Sequence, residues 1–188
     1  MLVNTFYENK VEQLRDVVKR LDTALTTAGI RYQAIGGFAV FCHVDRIDPL
    51  AARRTRDVDV AIDRADLQRI APAVKSIGLQ YRHVARVDML VDAAAQKAQS
   101  AIQLIFVREK VRPEYSEPVP DISKPTRTDD GANIAPVADL LRMKLTSFRL
   151  KDQVHIQDMD SVGLITPEIE NLLPALLQER LKKVRASE

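Results

Sequence analysis

The chain of 188 residues has no tryptophan and one cysteine, Cys42. A lone cysteine cannot close an intramolecular disulfide, and it excludes a cysteine-ligated zinc cluster. The three histidines, His43, His83 and His155, show no spacing with acids that suits zinc. No Ser-His-Asp pattern is present. No apolar run approaches the roughly 20 residues that a membrane-spanning helix needs. The first ten residues, M-L-V-N-T-F-Y-E-N-K, lack a basic segment followed by an apolar core, so no signal peptide is expected. These absences predict a cytoplasmic protein with no membrane partner. There is also no excess of one charge: the net value is +2. That weighs against a large nucleic-acid footprint. Internal repeats and low-complexity tracts are absent.

What is present is ordinary for a folded soluble chain, with 46% hydrophobic and 29% charged residues. The length suits one domain with a small helical appendage. The first helix is predicted over Thr5 to Ala28, where Leu14, Val17, Val18, Leu21 and Leu25 recur at spacings of three and four. Gly29 stops it. A short strand follows over Arg31 to Ile35, then the Gly36-Gly37 turn and a short helix over Phe38 to Val44. Asp45 to Arg56 reads as an arginine-bearing loop, and Arg56 to Ile62 as a strand. Asp63 is placed to cap a helix over Arg64 to Ile77, which contains Pro72 and ends before Gly78.

Two joined strands are expected over Leu79 to Val84 and Arg86 to Val91, while Ala93 to Ser100 is ambiguous. Ala101 to Val107 is apolar on both faces, the pattern of a central strand. Arg108 to Ala135 holds four prolines and reads as irregular, with one short edge strand. From Pro136 the pattern turns helical: Val137 to Leu150, then Lys151 to Ser161 as a continuation or a restart. A helix starts at Thr166-Pro167-Glu168, and a last one covers Pro174 to Arg185. The expectation is an α+β fold, a small mixed β-sheet with flanking helices. Its α/β core would span residues 1–135, with a helical C-terminal segment, 136–188, packed on it.

The chemistry concentrates between Ile35 and Asp63. Successive strand side chains point to opposite faces, so Thr55, Asp57 and Asp59 share one face and Val58 and Val60 the other. Adjacent carboxylates repel unless a cation lies between them or they share a proton. Glycine admits close backbone approach, and a helix N-terminus offers free N–H groups, so Gly36 and Gly37 suit a phosphate. A metal on Asp57 and Asp59 would bind the phosphates of a nucleotide resting on that turn. Magnesium suits the role, since it shares one or two carboxylates with phosphate oxygens. Taken alone, each feature has an ordinary reading: the acids as exposed groups on an edge strand, Arg53 and Arg54 as a solvated loop. Lys144 would then sit in a surface salt bridge, and Arg149, Asp152 and Asp158 in helix-surface ion pairs. Lys144, Lys151 and His155 fall on one face if their helix is unbroken.

G-G-F-A-V at residues 36–40 and R-R-T-R-D-V-D-V at 53–60 together resemble the nucleotidyltransferase superfamily that includes DNA polymerase beta. They look closest to its small bacterial branch, related to abortive-infection nucleotidyltransferases. The segment D-L-L-R-M-K-L-T-S-F-R-L-K-D-Q-V-H-I-Q-D at 139–158 is similar to that family's lysine-bearing helix. The resemblance implies metal-dependent transfer of a nucleoside monophosphate from a nucleoside triphosphate to an acceptor, with Mg2+ or Mn2+ as cofactor. Asp57 and Asp59 would be the catalytic metal ligands; Gly36, Gly37, Arg54, Thr55 and Lys144 would bind the nucleotide. The acceptor stays open among a protein, a tRNA end and a small molecule. Catalytic relatives carry a third carboxylate on a later central strand. Here that strand's polar residue is Gln103, which cannot act as a base, and Asp88 is the candidate replacement, with Asp92 behind it. The alternative is a catalytically degenerate member that binds a nucleotide or a partner protein, as in a toxin–antitoxin or phage-defence pair.

Overall fold

The computed structural model describes residues 2–187 except Arg56 and residues 94–100, and for residues 2–11 the backbone alone. The ambiguous segment Ala93 to Ser100 therefore lies almost wholly outside the described residues, as does the first residue of the strand expected from Arg56. Helix α1 (Leu2–Thr27) is followed by β1 (Tyr32–Ile35), α2 (Gly36–Asp45) and β2 (Val58–Ile62). A single 3-10 turn (Arg64–Asp66) leads into α3 (Leu67–Lys75), then β3 (Leu79–Val84), β4 (Val87–Asp92) and β5 (Ile102–Phe106). Two short strands, β6 (Thr126–Arg127) and β7 (Asn133–Ile134), precede α4 (Val137–Ser147), α5 (Leu150–Ser161), α6 (Pro167–Asn171) and α7 (Ala175–Arg185).

The seven described strands form one mixed sheet in the order β3-β4-β5-β2-β1-β7-β6. Strand β2 is central, parallel to β5 and antiparallel to β1. Val58, Val60 and Ile62 pair across β5 with Ile102, Leu104 and Phe106, an apolar layer on one face. Helix α1 covers that face. Its Leu21 and Leu25 are fully buried, and its Asp22 accepts a 2.6 Å hydrogen bond from Tyr32 of β1. Arg127 of β6 donates to both oxygens of Asp22 at 2.7 and 2.8 Å, so one buried carboxylate joins α1 to the far sheet edge. On the other side α2 contacts β1 and β2, and then α4 and α5, which pack on α7. The core is continuous from Val18 of α1 to Val184 of α7.

The helical and strand expectations hold in type, with several differences. Residues 108–135 contain two strands rather than one, and β7 pairs in parallel with β1 inside the sheet. Helix α2 begins at Gly36 itself, whose φ of +70° lets the strand turn directly into the helix. Asp63 accepts from the Ala65 amide at 3.0 Å, but the element it caps is the 3-10 turn. Thr166 caps α6, with Pro167 at its first position. Helices α4 and α5 are separate: Phe148 adopts left-handed φ and ψ of 50° and 29° and ends α4. Lys144 therefore does not share an unbroken helix with Lys151 and His155.

Candidate active site

Strand β1 pairs with β2 so that Ile35 stands opposite Asp59. The next residue, Gly36, opens α2 directly against the Asp59 side chain. A β-carbon on Gly36 would fall well inside the contact distance of Asp59 Oδ2. Gly37 is packed nearly as closely: a β-carbon there would meet Thr55 Oγ1 at 3.0 Å and His155 Cε1 at 3.3 Å. The approach is closest at Gly36 and tight at Gly37, and the two carry the free N–H groups of a helix start onto the acid pair. Asp57 immediately precedes β2 and is exposed, and its backbone N–H and C=O meet the Thr55 hydroxyl at 3.4 and 3.3 Å.

Gly36, Asp57, Asp59, Gln103 and Lys144 line a common cleft of about 680 Å³. Burial raises the Asp59 carboxyl above the ordinary range, opposed by the charges of Lys144 and Lys151. Lys144 is itself buried, at 6% exposure, and burial pulls its pKa down. Its partner is Asp152 of α5 at 3.0 Å. Asp152 has no exposed surface and gathers Arg149 Nε at 2.7 Å and Ser147 Oγ at 2.8 Å. Burial alone would raise this carboxyl; the hydrogen bonds from Arg149, Lys144 and Ser147 outweigh it and hold it well below its usual value. Arg149 and Lys151 line the cleft beside Lys144. His155 is held neutral, its pKa pushed down to about 4 by burial and then by Lys144.

The remaining candidates are distributed as follows. Parallel pairing of β2 with β5 sets Gln103 beside Asp59, on the same sheet face, with Met89 of β4 next in the row. Asp88 pairs with Leu104 and so belongs to the opposite face. Its Oδ1 accepts from Tyr81 at 2.6 Å and meets His83 Nδ1 at 2.9 Å. As a replacement third ligand Asp88 is corrected by the strand register: adjacent residues alternate faces, and Met89, not Asp88, is in line with Asp59. Asp92 shares that opposite-face parity on β4. Arg54 is exposed and outside the cleft lining, and Arg53 is drawn to Asp158 at 2.8 Å. His43 is buried and bonded to the Ala135 carbonyl at 2.8 Å, a tie within the core. Asp152 and Asp158 are buried rather than helix-surface acids. The loop around Lys110, Arg112 and Tyr115, which forms the far wall, carried no periodicity or motif by which to find it.

No family model matches the chain, and no curated protein matches it in sequence. Solved structures do. The fold is similar to an antigenic nucleotidyltransferase-like protein from Paracoccidioides brasiliensis, with a TM-score of 0.61, 20% identity, and 96% of this chain and 89% of that one covered. It is also similar to the antibiotic-resistance factor ANT(2″)-Ia, with a TM-score of 0.51, 10% identity, and 94% and 84% covered. The chain shares its α+β fold, a mixed sheet with flanking helices, with these two structures.

Proposed function

We propose that the cleft binds a nucleoside triphosphate with a divalent metal ion, magnesium or manganese, and that the chain transfers the nucleoside monophosphate to an acceptor. The observation that carries this reading is the seating of Gly36 against Asp59, beneath a row of cations. Among the described residues no three His, Cys, Asp or Glu side chains converge as a metal cage. Two carboxylates lining a cleft of about 680 Å³ nevertheless fit a magnesium ion, which takes few protein ligands and completes its shell with phosphate and water. Asp57 and Asp59 would hold it; when bound, the metal would neutralise charge on the attacking and leaving oxygens.

The chain's own groups supply the rest. The Gly36 and Gly37 amides would cradle phosphate oxygens, as helix N-termini do. Lys144, Arg149 and Lys151 would offset the charge of the triphosphate, with Asp152 fixing two of them. Residues 1–135 would then supply the metal ligands and the cradle, and 136–188 the cations. Placement in the abortive-infection branch rests on the G-G-F-A and R-x-T-x-D-x-D signatures.

A second reading, nucleotide binding without transfer in a toxin–antitoxin or phage-defence pair, is favoured by Gln103. It stands where a third acid would complete a metal pair and accept a proton; a glutamine carbonyl coordinates only weakly and cannot serve as a base. Incubation with each labelled nucleoside triphosphate plus magnesium or manganese separates the two. Label transfer or pyrophosphate release that vanishes in Asp57→Ala supports transfer. Metal-dependent binding by calorimetry without turnover supports the second reading. Neither binding nor turnover would sink both.

A further inference from the structure

We infer that the acceptor carries phosphate beside its nucleophile, and that the far wall of the cleft is built to receive it. The inference rests on the nucleotidyl-transfer reading and deepens it. The wall is formed by the start of β4 and by residues 109–112, 115 and 117–119. It contains both signs of charge, but they are not equally available.

Each acid on the wall is already engaged. Arg64 grips both oxygens of Glu109 at 2.6 Å, and the guanidinium lies over the Phe106 ring at 3.7 Å. That pairing holds Glu109 below the usual carboxylate range. Arg142 takes Glu117 at 2.5 Å. Asp88 is occupied by Tyr81 and His83 on the other sheet face. A polycationic acceptor such as an aminoglycoside would have to displace an arginine from Glu109 or Glu117, or the Tyr81 and His83 partners of Asp88, to find a carboxylate on this wall. A bidentate Arg–carboxylate pair is the most costly kind to break.

The cations are in the opposite condition. Arg86, Lys110 and Arg112 line the same wall and are exposed. Among the described residues Arg86 and Lys110 make no ion pair, and the nearest carboxylate to Arg112 is Glu114 at 3.9 Å. Arg112 instead lies 5.9 Å from the Tyr115 ring centre, and Tyr115 also lines the cleft. Exposed cations, two unpaired and one only loosely paired, beside an aromatic ring suit phosphates and a flat base or sugar. A cleft of about 680 Å³ is large enough for a nucleotide and one further such group.

The test uses the full chain with magnesium and a non-hydrolysable nucleoside triphosphate analogue. Binding is measured for four probes: a single-stranded RNA oligonucleotide, a nucleoside 5′-monophosphate, the corresponding neutral nucleoside, and an aminoglycoside. The two phosphate-bearing probes are expected to bind more tightly than the other two. Their ranking tells whether the phosphate belongs to a strand or to a small monoester. The double variant Lys110→Glu, Arg112→Glu, with an unfolding midpoint matching the parent chain, should weaken the better phosphate probe by about 10-fold or more. For a strand, it should also flatten the salt dependence by about one unit of slope per lost contact. Tight aminoglycoside binding, or phosphate binding indifferent to the double substitution, would overturn the inference while leaving analogue binding intact. Failure of the analogue itself to bind would remove the nucleotidyl-transfer reading beneath it.

Discussion

A β-carbon on Gly36 would collide with the carboxylate of Asp59. The proposed phosphate cradle and the proposed metal ligand therefore form one packed unit, and Gly36→Ala strikes both. The left-handed φ of +70° alone should cost roughly 1–2 kcal/mol for a residue with a side chain. Gly78 has a similar φ of +77° with open space around its would-be β-carbon. Urea unfolding of Gly36→Ala beside Gly78→Ala isolates the collision. A larger loss at position 36, with lost metal-dependent nucleotide binding by calorimetry, is expected; equal losses would show that Asp59 yields freely.

Asp59 is raised by burial, so the folded chain binds its proton more tightly than the unfolded chain does. Between the unfolded and folded values the native state holds more protons, and stability falls as pH rises through that window. Asp59→Asn removes the buried charge. Its unfolding midpoint should exceed the parent's at pH 7 and converge with it below about pH 4, where both side chains are neutral. Metal-dependent nucleotide binding should be lost at the same time. A variant less stable than the parent at neutral pH would refute this.

His155 behaves with the opposite sign. Its folded pKa of about 4 lies below the ordinary 6.5, so the unfolded chain takes up the proton first on acidification. Stability from the neutral ring is complete above about pH 6.5 and is lost as pH falls toward 4. The full shift corresponds to about 3 kcal/mol, and the partial exposure of the ring reduces the expected loss to about 1–2 kcal/mol. In His155→Gln the pH dependence over that range should flatten. Denaturant midpoints at half-unit pH steps provide the measurement.

Removing Asp152 leaves Lys144 buried without its partner. Loss of one member of a buried pair typically costs about 3–5 kcal/mol. Asp152→Ala should fall in that range by urea unfolding. Lys144→Met/Asp152→Leu, which removes both charges, should recover most of it. Nucleotide binding should not return in the double variant, which separates stability from charge placement.

Gln103→Glu places a third carboxylate in the row with Asp59. Without metal the like charges should lower stability by on the order of 1 kcal/mol at neutral pH. Magnesium with a nucleoside triphosphate should reverse that loss and raise the unfolding midpoint above that of the equally liganded parent. Thermal unfolding with and without both ligands checks this, and a midpoint indifferent to them would count against a metal between these residues.

The long helices and the central strand could be read from the chain because their signals are local. Leu14, Val17, Leu21 and Leu25 define one helical face, and Ile102 to Phe106, apolar on both faces but for Gln103, has the pattern of an interior strand. The alternation that set Asp57 with Asp59 was equally local. What escaped was set by partners distant in sequence. Nothing in R-V-D-M-L-V-D says whether Asp88 or Met89 faces Asp59, because β5 is apolar on both sides and accepts either register. The break at Phe148 is a left-handed turn at a residue that seldom makes one. The burial of Asp152 follows from that break, which folds α5 back over Lys144. Strands β6 and β7 are two residues each, too short for any periodicity to mark.

The register that seats Gln103 beside Asp59 also sets an evolutionary distance. Glutamine and glutamate codons differ by a single base, and the two side chains are nearly the same size. A lineage carrying this fold can therefore gain or shed the charge in one mutational step, without moving a strand. Whether the cleft turns over the proposed nucleotide or only holds it is, at this position, among the most readily reversible traits the chain has.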